Sequence, residues 1–523
     1  MLRVFVLLGS VLLLIFIGFI PILFLFIKSF IADGRFSFQN YELLFDSKRT
    51  WILLLNSLSL SSATAFITLI LGVPLGVLLT KTDLPLKRFF IILFIIPLII
   101  SPYILSMAWF YTLGRGGVVA GLLGEEIGAI TSNFLFSFYG VLFVMVSVYL
   151  PVAIILTMTY LRTLNPALEE AARLSSKWFY ILRDISLPLI KPGIMLSGLI
   201  VFVLTLGELG VPLFLRFDVF PAESFLQFSA FYNFNAAIAM AIPLGIITII
   251  VLIIERRFLR KKVFQFGMTR MDYLIIPLKK TKPIFLIAVG LISSIIVILP
   301  LSVLIAKSIG GYPEAVKNSV DSIFRSLFYA GFGATLLVII GFPMGYMLEH
   351  RAYRFYYTAD SIAVFLFGLP GAVIGIGLIG MWNTPSTNFI YTSMLIILFG
   401  YIAQYTALSE RITASALSQI PDSMEESAQL AGAGWLRRLF YIVIPLSKRG
   451  IISSWLVGFI FCLRDLGITM MVYPPQMDTL PVRIFTLMAN SPEETIAALC
   501  VIMFAITLMP LGGLMVITRY MRW

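Results

Sequence analysis

The sequence predicts an all-α membrane protein with about twelve transmembrane helices, arranged as two parallel six-helix repeats. Of its 523 residues, 60% are hydrophobic and only 12% are charged, and its mean hydropathy is +1.00. A soluble core does not use that much apolar surface. Apolar runs of about 20 residues, the length that crosses about 30 Å of hydrocarbon, recur along the chain. The second half of the chain also repeats residue patterns of the first.

The apolar runs place the predicted spans at about 4–30, 53–80, 89–113, 133–160, 193–214, 235–254, 283–307, 326–348, 361–382, 389–410, 450–472 and 496–517. With the N-terminus in the cytoplasm, the inner segments hold 27 Lys and Arg residues and the outer loops hold 8. Because inner loops are enriched in Lys and Arg, both termini are expected in the cytoplasm. The net charge of +12 then reflects topology, and a nucleic-acid partner is not expected.

The repeat is visible as matching residues at nearly constant offsets. Residues 56–76 (NSLSLSSATAFITLILGVPLG) match residues 325–345 (RSLFYAGFGATLLVIIGFPMG) at an offset of 269. Further matches are Pro97 and Trp109 with Pro370 and Trp382 (offset 273), and Gly193, Ser197, Glu208, Leu209 and Gly210 with Gly450, Ser454, Asp465, Leu466 and Gly467 (offset 257). Six spans per half give both copies the same orientation, related by an axis along the membrane normal.

These boundaries predict a first transmembrane repeat at 1–254, a basic cytoplasmic linker at 255–282 and a second transmembrane repeat at 283–523. The linker holds nine Lys or Arg residues against two acidic ones. A plain linker obeying the positive-inside rule explains this charge, and binding of anionic membrane lipid is the alternative.

Metal-ligating and catalytic patterns are not expected in this chain. Cys462 and Cys500 lie in apolar runs without metal-ligand spacing, as small buried side chains do. The single histidine, His350, lies at the predicted inner end of a span.

Two predicted cytoplasmic segments repeat a pair of acidic residues followed by small apolar ones. In the first, Asn165 is suited to cap a helix, Pro166 fits its first turn, and Glu169 and Glu170 lie near the positive end of its dipole. Ala171 and Ala172 supply a compact apolar side.

In the second segment, PDSMEESAQLAGAG, Asp422 or Ser423 is expected to cap the helix, with Glu425 or Glu426 completing a capping box. Ala428 lies on the apolar side, and Gly432 is expected to end the helix. A short helix with one small-residue face and one charged face is suited to docking. Its occurrence at equivalent places in both halves makes mere coverage of the bundle a poor explanation.

These segments resemble the signature of the inner-membrane permease subunits of bacterial ABC importers, in which EAA is followed by three residues, Gly, nine residues and Ile-x-Leu-Pro. The second copy has Glu426, Ala428, Gly432, Ile442 and Pro445, with Ser427 in place of the first Ala and Ile444 in place of the Leu. The first copy has Glu170, Ala171, Ala172, Ile185, Leu187 and Pro188, but Ser175-Ser176 replaces the glycine and the copy is one residue shorter.

The resemblance implies the type I ABC importer permease fold in the bacterial inner membrane, with both polar segments as coupling helices. It implies two copies of a separate ATPase, which uses ATP and Mg, and a periplasmic or extracellular solute-binding protein. This chain has no G-x-x-x-x-G-K-[ST] pattern, so no bound cofactor and no enzymatic activity are expected in it.

The stretch 463–485 (LRDLGITMMVYPPQMDTLPVRIF) most resembles the iron(III) importer group. Similar permeases carry thiamine, phosphonates, sulfate or polyamines, so another solute is one alternative. A secondary transporter driven by an ion gradient is the alternative from another class, but it gives no reason for two EAA-like segments.

Three charged residues, Glu208, Arg464 and Asp465, lie deep in the predicted spans five and eleven. A charge at membrane depth costs about 2.5–3.5 kcal/mol, so a partner or an aqueous path is expected. In one interpretation Glu208 and Asp465 line the path of a cationic substrate. In the other, Arg464 forms a structural ion pair with Glu208. Both interpretations place the three residues at the seam between the halves.

Each half also contains a Gly-x-Pro-x-Gly element, Gly72 to Gly76 and Gly341 to Gly345. We expect close helix packing at these glycines, with a gating hinge as the alternative.

Overall fold

The computed structural model describes residues 2–32, 35–231, 234–263, 274–352 and 354–520, and these residues are predominantly helical. Among them, nine helices are long and apolar enough to cross a membrane. Two further helix pairs are long and apolar enough when the two helices of a pair are taken together, but they bend by 103° and 107° at short breaks. The helical membrane fold is therefore confirmed, with up to eleven spans of sufficient length and hydrophobicity among the described residues instead of about twelve.

The helices of the first half are α1 (Leu2–Leu14), α2 (Ile20–Ser29), α3 (Gln39–Asp46), α4 (Lys48–Lys81), α5 (Lys87–Ile99), α6 (Pro102–Leu113), α7 (Val118–Leu123), α8 (Glu125–Leu135), α9 (Phe138–Arg162), α10 (Pro166–Arg173), α11 (Trp178–Ile181), α12 (Leu187–Leu206), α13 (Gly210–Phe214), α14 (Phe220–Ser229) and α15 (Phe234–Val263). Wide π-type turns at Ile15–Phe19 and Leu182–Ser186 join α1 to α2 and α11 to α12. Strands β1 (Ile31–Ala32) and β2 (Arg35–Phe36) form a two-stranded antiparallel pairing.

The helices of the second half are α16 (Lys282–Ser293), α17 (Leu299–Ser308), α18 (Tyr312–Glu349), α19 (Tyr356–Gly368), α20 (Gly371–Trp382), α21 (Asn388–Tyr391), α22 (Leu395–Leu417), α23 (Asp422–Leu430), α24 (Trp435–Arg438), α25 (Ile444–Arg464), α26 (Thr469–Val472), α27 (Leu480–Leu487) and α28 (Glu493–Tyr520). π-type turns recur at Ser294–Ile298 and Leu439–Val443, and a 3₁₀ turn (Lys279–Thr281) precedes α16. Helix α22, the predicted tenth span, is not among the nine membrane-length apolar helices.

The helix boundaries confirm the repeat but correct one of its offsets. The bent pair α5–α6 corresponds to α19–α20, and both members begin 269 residues apart. The proline and tryptophan match at offset 273 is therefore displaced by four residues, which is about one helical turn. Identical residues on a helix can thus lie one turn away from the structurally equivalent positions.

The predicted spans five and eleven begin and end earlier than expected. The apolar helices run over Trp178–Leu206 and Trp435–Arg464, each including a π-type turn. Glu208 and Asp465 consequently lie just beyond these helices, not deep within them. The predicted linker 255–282 includes residues 264–273, which lie outside the described residues, so its role stays a prediction.

The described chain divides into two compact units that do not follow the sequence halves. Unit 1 comprises Met1–Leu53, Phe220–Leu252 and Gly311–Trp523, and unit 2 comprises Leu54–Val219 and Ile253–Gly310. Unit 1 thus includes the first span of the first half, and unit 2 includes the first span of the second half. The predicted boundaries at 254 and 283 concern repeats along the sequence, whereas these units are groups of packed helices.

In unit 1, α18 packs against α22 and α25. At Gly341 a Cβ atom would lie only 2.5 Å from the Cβ of Ser409, and at Gly345 only 2.7 Å from the carbonyl oxygen of Glu410. Helix α18 continues through Pro343. The glycines therefore permit close contact with α22, as the sequence predicts.

Unit 2 contains the equivalent contact between α4 and α9. A Cβ atom at Gly72 would lie 2.5 Å from the Cβ of Ala153, and one at Gly76 would lie 2.8 Å from the Cβ of Thr157. Helix α4 likewise continues through Pro74. The same glycine spacing thus gives the same close packing in each unit.

Candidate functional site

The first polar segment forms α10, whose start follows the sequence prediction. Asn165 is the N-cap residue, and its side-chain oxygen accepts a hydrogen bond of 3.0 Å from the backbone N–H of Ala167. Pro166 occupies the first turn. The helix ends without a left-handed residue, since the backbone of Leu174 is right-handed. Serine in place of the signature glycine is therefore compatible with this end.

Glu169 turns inward from α10 and forms a buried ion pair with the last residue of α4. The Nζ atom of Lys81 donates to Glu169 Oε2 at 2.6 Å, and Ser186 Oγ donates to Glu169 Oε1 at 2.8 Å. Lys81 and Glu169 are each only 1% exposed. Breaking a buried pair leaves an uncompensated charge, which is strongly unfavourable. This contact therefore holds α10 against the end of α4.

The second polar segment forms α23, and its cap differs from the prediction. Pro421 is the N-cap residue, and no side chain caps the helix there. Asp422 is already in the first turn, so the helix begins too early for Asp422 or Ser423 to cap it. The end follows the prediction: Gly432 has a φ of +82°, the left-handed conformation that favours glycine.

Glu425 turns towards the protein interior from α23 and contacts the C-terminal end of α18. The hydroxyl of Tyr346 donates to Glu425 Oε1 at 2.9 Å, and Nε2 of His350 lies 3.4 Å from Glu425 Oε2. The imidazole also stacks on the Tyr346 ring, with the ring centroids 4.1 Å apart. The hydrogen bond from His350 is the main cause that lowers the pKa of Glu425. The second segment is therefore also fixed by the first glutamate of its pair.

The opposite side of each helix is exposed. Glu170 and Glu426 are both exposed, as are Ala171 and Ala431, while Ala172 and Ala428 are half-buried. Leu174 and Leu430 occupy equivalent positions and are 92% and 90% exposed. Each helix thus leaves one large apolar side chain exposed at a matching place. The small-residue side predicted for each helix is exposed or half-buried instead of forming a buried contact.

The carboxylates of Glu208 and Asp465 have similar surroundings in the two units. In unit 2, Glu208 accepts from the Tyr149 hydroxyl at 3.3 Å and from the Gly210 backbone N–H at 3.0 Å. Because the side chain binds the backbone N–H of the next short helix, the long helix ends before it.

In unit 1, Asp465 accepts from the Tyr405 hydroxyl at 2.8 Å and from the Thr469 backbone N–H at 2.9 Å. The Arg464 guanidinium lies over the Phe461 ring, 4.1 Å from its centroid. Each carboxylate therefore accepts a hydrogen bond from a tyrosine of an earlier long helix, α9 or α22, and another from a backbone N–H that follows it in the chain.

The sequence analysis did not predict the contact of Lys81 with Glu169 or the contacts of the His350 ring. One signal could have found them: at the offset of 269 residues, Lys81 and His350 are equivalent, so each half places one basic residue at the end of an equivalent helix. Tyr149 and Tyr405 are equivalent in the same way at an offset of 256. Polar residues matched between the repeats thus make equivalent contacts in the two units.

Comparison with known proteins adds relatives along most of the chain. At 23% identity it resembles FbpB 1 of Haemophilus influenzae, by name a ferric transport system permease protein, over 87% of this chain and 75% of the relative. The ferric transport system permease protein FbpB of Actinobacillus pleuropneumoniae is 22% identical over 87% of this chain and 69% of its own length. The spermidine/putrescine transport system permease protein PotC of H. influenzae is 24% identical over 36% of this chain and 72% of its own length.

A family model described as "binding-protein-dependent transport system inner membrane component" matches the chain twice, at residues 69–263 and 338–522. The two matches cover most of the chain and contain α10 and α23, one in each match. The chain therefore belongs to the family of binding-protein-dependent transport system inner membrane components, and it is a multi-pass permease subunit of the ABC transporter type.

Proposed function

We propose that α10 and α23 are coupling helices that dock on two copies of a separate ATPase chain. The observation that carries this proposal is that, in each acidic pair, one glutamate makes internal contacts and the other is exposed. The first glutamate, Glu169 or Glu425, is held by the protein itself. The second, Glu170 or Glu426, is exposed beside an exposed leucine. A charged group next to an apolar anchor is a suitable contact for a partner protein.

In this proposal the ATPases bind ATP and Mg, and this chain binds neither. Closure of the ATPases on ATP moves α10 and α23, and these movements are transmitted to α4 and α18 through Lys81 and His350. The spans then alternate between access to the outer and the inner side. An external solute-binding protein delivers the cargo, and the surrounding membrane lipid contacts the apolar helices.

Ferric iron is the proposed cargo. Two relatives named as ferric permeases align over 87% of the chain, whereas the polyamine permease aligns over 36%. Thiamine, phosphonate, sulfate and polyamine remain the competing cargoes. Glu208 and Asp465 are the residues that we propose for attracting solute into the translocation path, because carboxylates attract a cationic solute. Arg464, next to Asp465 in the chain, is proposed as a residue of the same path that offsets part of this negative charge.

Reversing the charge of both exposed glutamates is expected to abolish transport. In a Glu170→Lys/Glu426→Lys variant, both docking surfaces lose their acidic group while Glu169 and Glu425 keep their internal contacts. We expect normal amounts of folded permease, loss of ATPase co-purification and loss of radiolabelled ferric iron uptake in cells that otherwise lack this transporter. Unlabelled competing cargoes, added in turn, test the choice of iron in the same assay.

The matched control is Glu126→Lys, which reverses an exposed glutamate on α8, outside both polar segments. This variant should transport normally. The coupling proposal is rejected if the double variant retains both its ATPase and its uptake. Permease-dependent uptake of another labelled solute, without uptake of labelled ferric iron, rejects the proposed cargo alone.

The proposed orientation places both termini and both polar segments in the cytoplasm. The native Cys462 and Cys500 are buried, so an introduced cysteine gives the main labelling signal. An impermeant thiol reagent added outside intact cells should label Asn490→Cys and leave Lys280→Cys unlabelled; both positions are exposed. The opposite pattern would place the docking helices on the wrong side for a cytoplasmic ATPase.

A further inference from the structure

The contacts that hold α10 and α23 occupy equivalent places but differ in chemistry. Lys81 and His350 are equivalent at the offset of 269 residues, and Glu169 and Glu425 are equivalent at the offset of 256. In each unit, the basic residue at the inner end of a long helix contacts the inward-facing glutamate. A lysine keeps its charge throughout the physiological pH range, whereas a histidine does not.

Both ring nitrogens of His350 face hydrogen-bond acceptors. Its Nδ1 lies 3.1 Å from the carbonyl oxygen of Tyr346, and its Nε2 lies 3.4 Å from Glu425 Oε2. A neutral imidazole has one N–H and one bare nitrogen lone pair, so it can donate to only one of these two acceptors. Only the doubly protonated imidazolium can donate to both.

We propose that His350 holds the second coupling helix most strongly as an imidazolium, which makes attachment of α23 to α18 dependent on protons while attachment of α10 to α4 is not. His350 is a positioning residue in this inference, acting on a partner ATPase through α23. The inference rests on the proposed coupling function for its consequence in transport, but the pH-dependent attachment is a property of this chain alone.

The surrounding charges favour the imidazolium. Burial lowers the pKa of His350, but the hydrogen bond with Glu425 and the Tyr346 carbonyl raise it further, so the net pKa is above that of free histidine. The charged and titratable groups around the ring and its glutamate partner are Arg3 on α1, Tyr346, Glu349 and Arg351 on or beside α18, Asp422 and Glu425 on α23, and Arg438 on α24.

The direction of the pH effect follows from these two groups. Because the pKa of His350 is raised, its contribution is fully present below the pKa of free histidine and is lost as the pH rises through the raised value. Because the pKa of Glu425 is lowered, the pair is lost on the acidic side only when the pH falls through that lowered value. The attachment of α23 should therefore be strongest in mildly acidic solution and should weaken under alkaline conditions.

Hydrogen–deuterium exchange of the full-length purified chain tests this without any partner. From about pH 5 to 9, after correction for the intrinsic exchange rate, the amides of residues 422–430 should exchange several-fold faster at the alkaline end. Residues 166–173 serve as the internal control and should keep constant protection. His350→Lys should make the protection of 422–430 independent of pH, and His350→Gln should lower it at every pH.

Equal pH profiles for the two segments, or a wild-type profile in His350→Gln, would overturn the inference. Glu425→Gln provides a second variant, since it should also remove the pH dependence without altering the histidine. ATPase co-purification at mildly acidic pH, measured in parallel, reports separately on the proposed docking. If the wild-type chain shows pH-dependent exchange but does not co-purify with an ATPase, the coupling function is rejected and the inference about the histidine contact is retained.

Discussion

Replacing Lys81 with methionine is expected to destabilise the protein strongly, by about 3–5 kcal/mol in the unit that contains the ion pair. Lys81 and Glu169 are both buried, with their charged atoms 2.6 Å apart. Methionine keeps most of the side-chain volume but leaves the Glu169 carboxylate without its cation, with only Ser186 Oγ donating to it. The thermal stability of the detergent-purified chain, followed by size-exclusion chromatography after heating, measures the effect.

The double variant Lys81→Met/Glu169→Met separates a stranded charge from lost packing. Because an apolar pair of similar volume often replaces a buried ion pair without loss, stability should return towards the wild-type value. Lys177→Met removes a lysine charge from an exposed position just before α11 and should change little. A Lys81→Met protein as stable as the wild type would mean that Glu169 is not held by this pair.

A single added methyl group at Gly341 is expected to cost about 1–3 kcal/mol through overpacking. In a Gly341→Ala variant, the new Cβ would meet the Cβ of Ser409 at 2.5 Å and the backbone nitrogen of Glu410 at 3.0 Å. Backbone atoms of a packed helix cannot move aside as a flexible side chain can. The midpoint of thermal unfolding should fall, and uptake should fall with the amount of folded protein.

Gly331→Ala is the matched control on the same helix, since nothing lies within 4 Å of a Cβ atom at that position. Alanine is favoured over glycine in a helix interior by about 1 kcal/mol, so this variant should be neutral or slightly stabilising. Equal stability of the two variants would show that α18 and α22 are free to separate at Gly341, as a hinge would require.

The periodicity of apolar residues was sufficient to predict the helical membrane fold, because a span must be long and apolar whatever it packs against. Helix ends were harder to predict. The apolar helix beginning at Trp178 was missed because Arg183, Asp184 and Lys191 interrupt the apolar run. The ends near Glu208 and Asp465 depend on contacts of these side chains with the following backbone, which no hydropathy pattern reports.

At the candidate site, the sequence identified both acidic pairs but not which glutamate of each pair faces inward. Sequence treats Glu169 and Glu170 alike, since both follow Pro166 in the first turns of α10. A helix rotates successive side chains by about 100°, so only one of the two can face Lys81. Which one faces inward depends on how α10 packs against α4, and that orientation is a tertiary property. The left-handed end at Gly432, by contrast, is local and was predictable from glycine alone.

The composition of the compact units has a consequence for biosynthesis. Unit 1 includes residues from both Met1–Leu53 and Gly311–Trp523, while unit 2 draws its closing helices from Ile253–Gly310. During translation, unit 2 can therefore be completed before the last segments of unit 1 have been synthesised. The first span must stay in the bilayer without its final neighbours until the ribosome has passed residue 311. During that interval, lipid or the insertion machinery has to cover the face of this span that later packs against other helices of unit 1. Unit 2 is therefore completed before unit 1, although the first span belongs to unit 1.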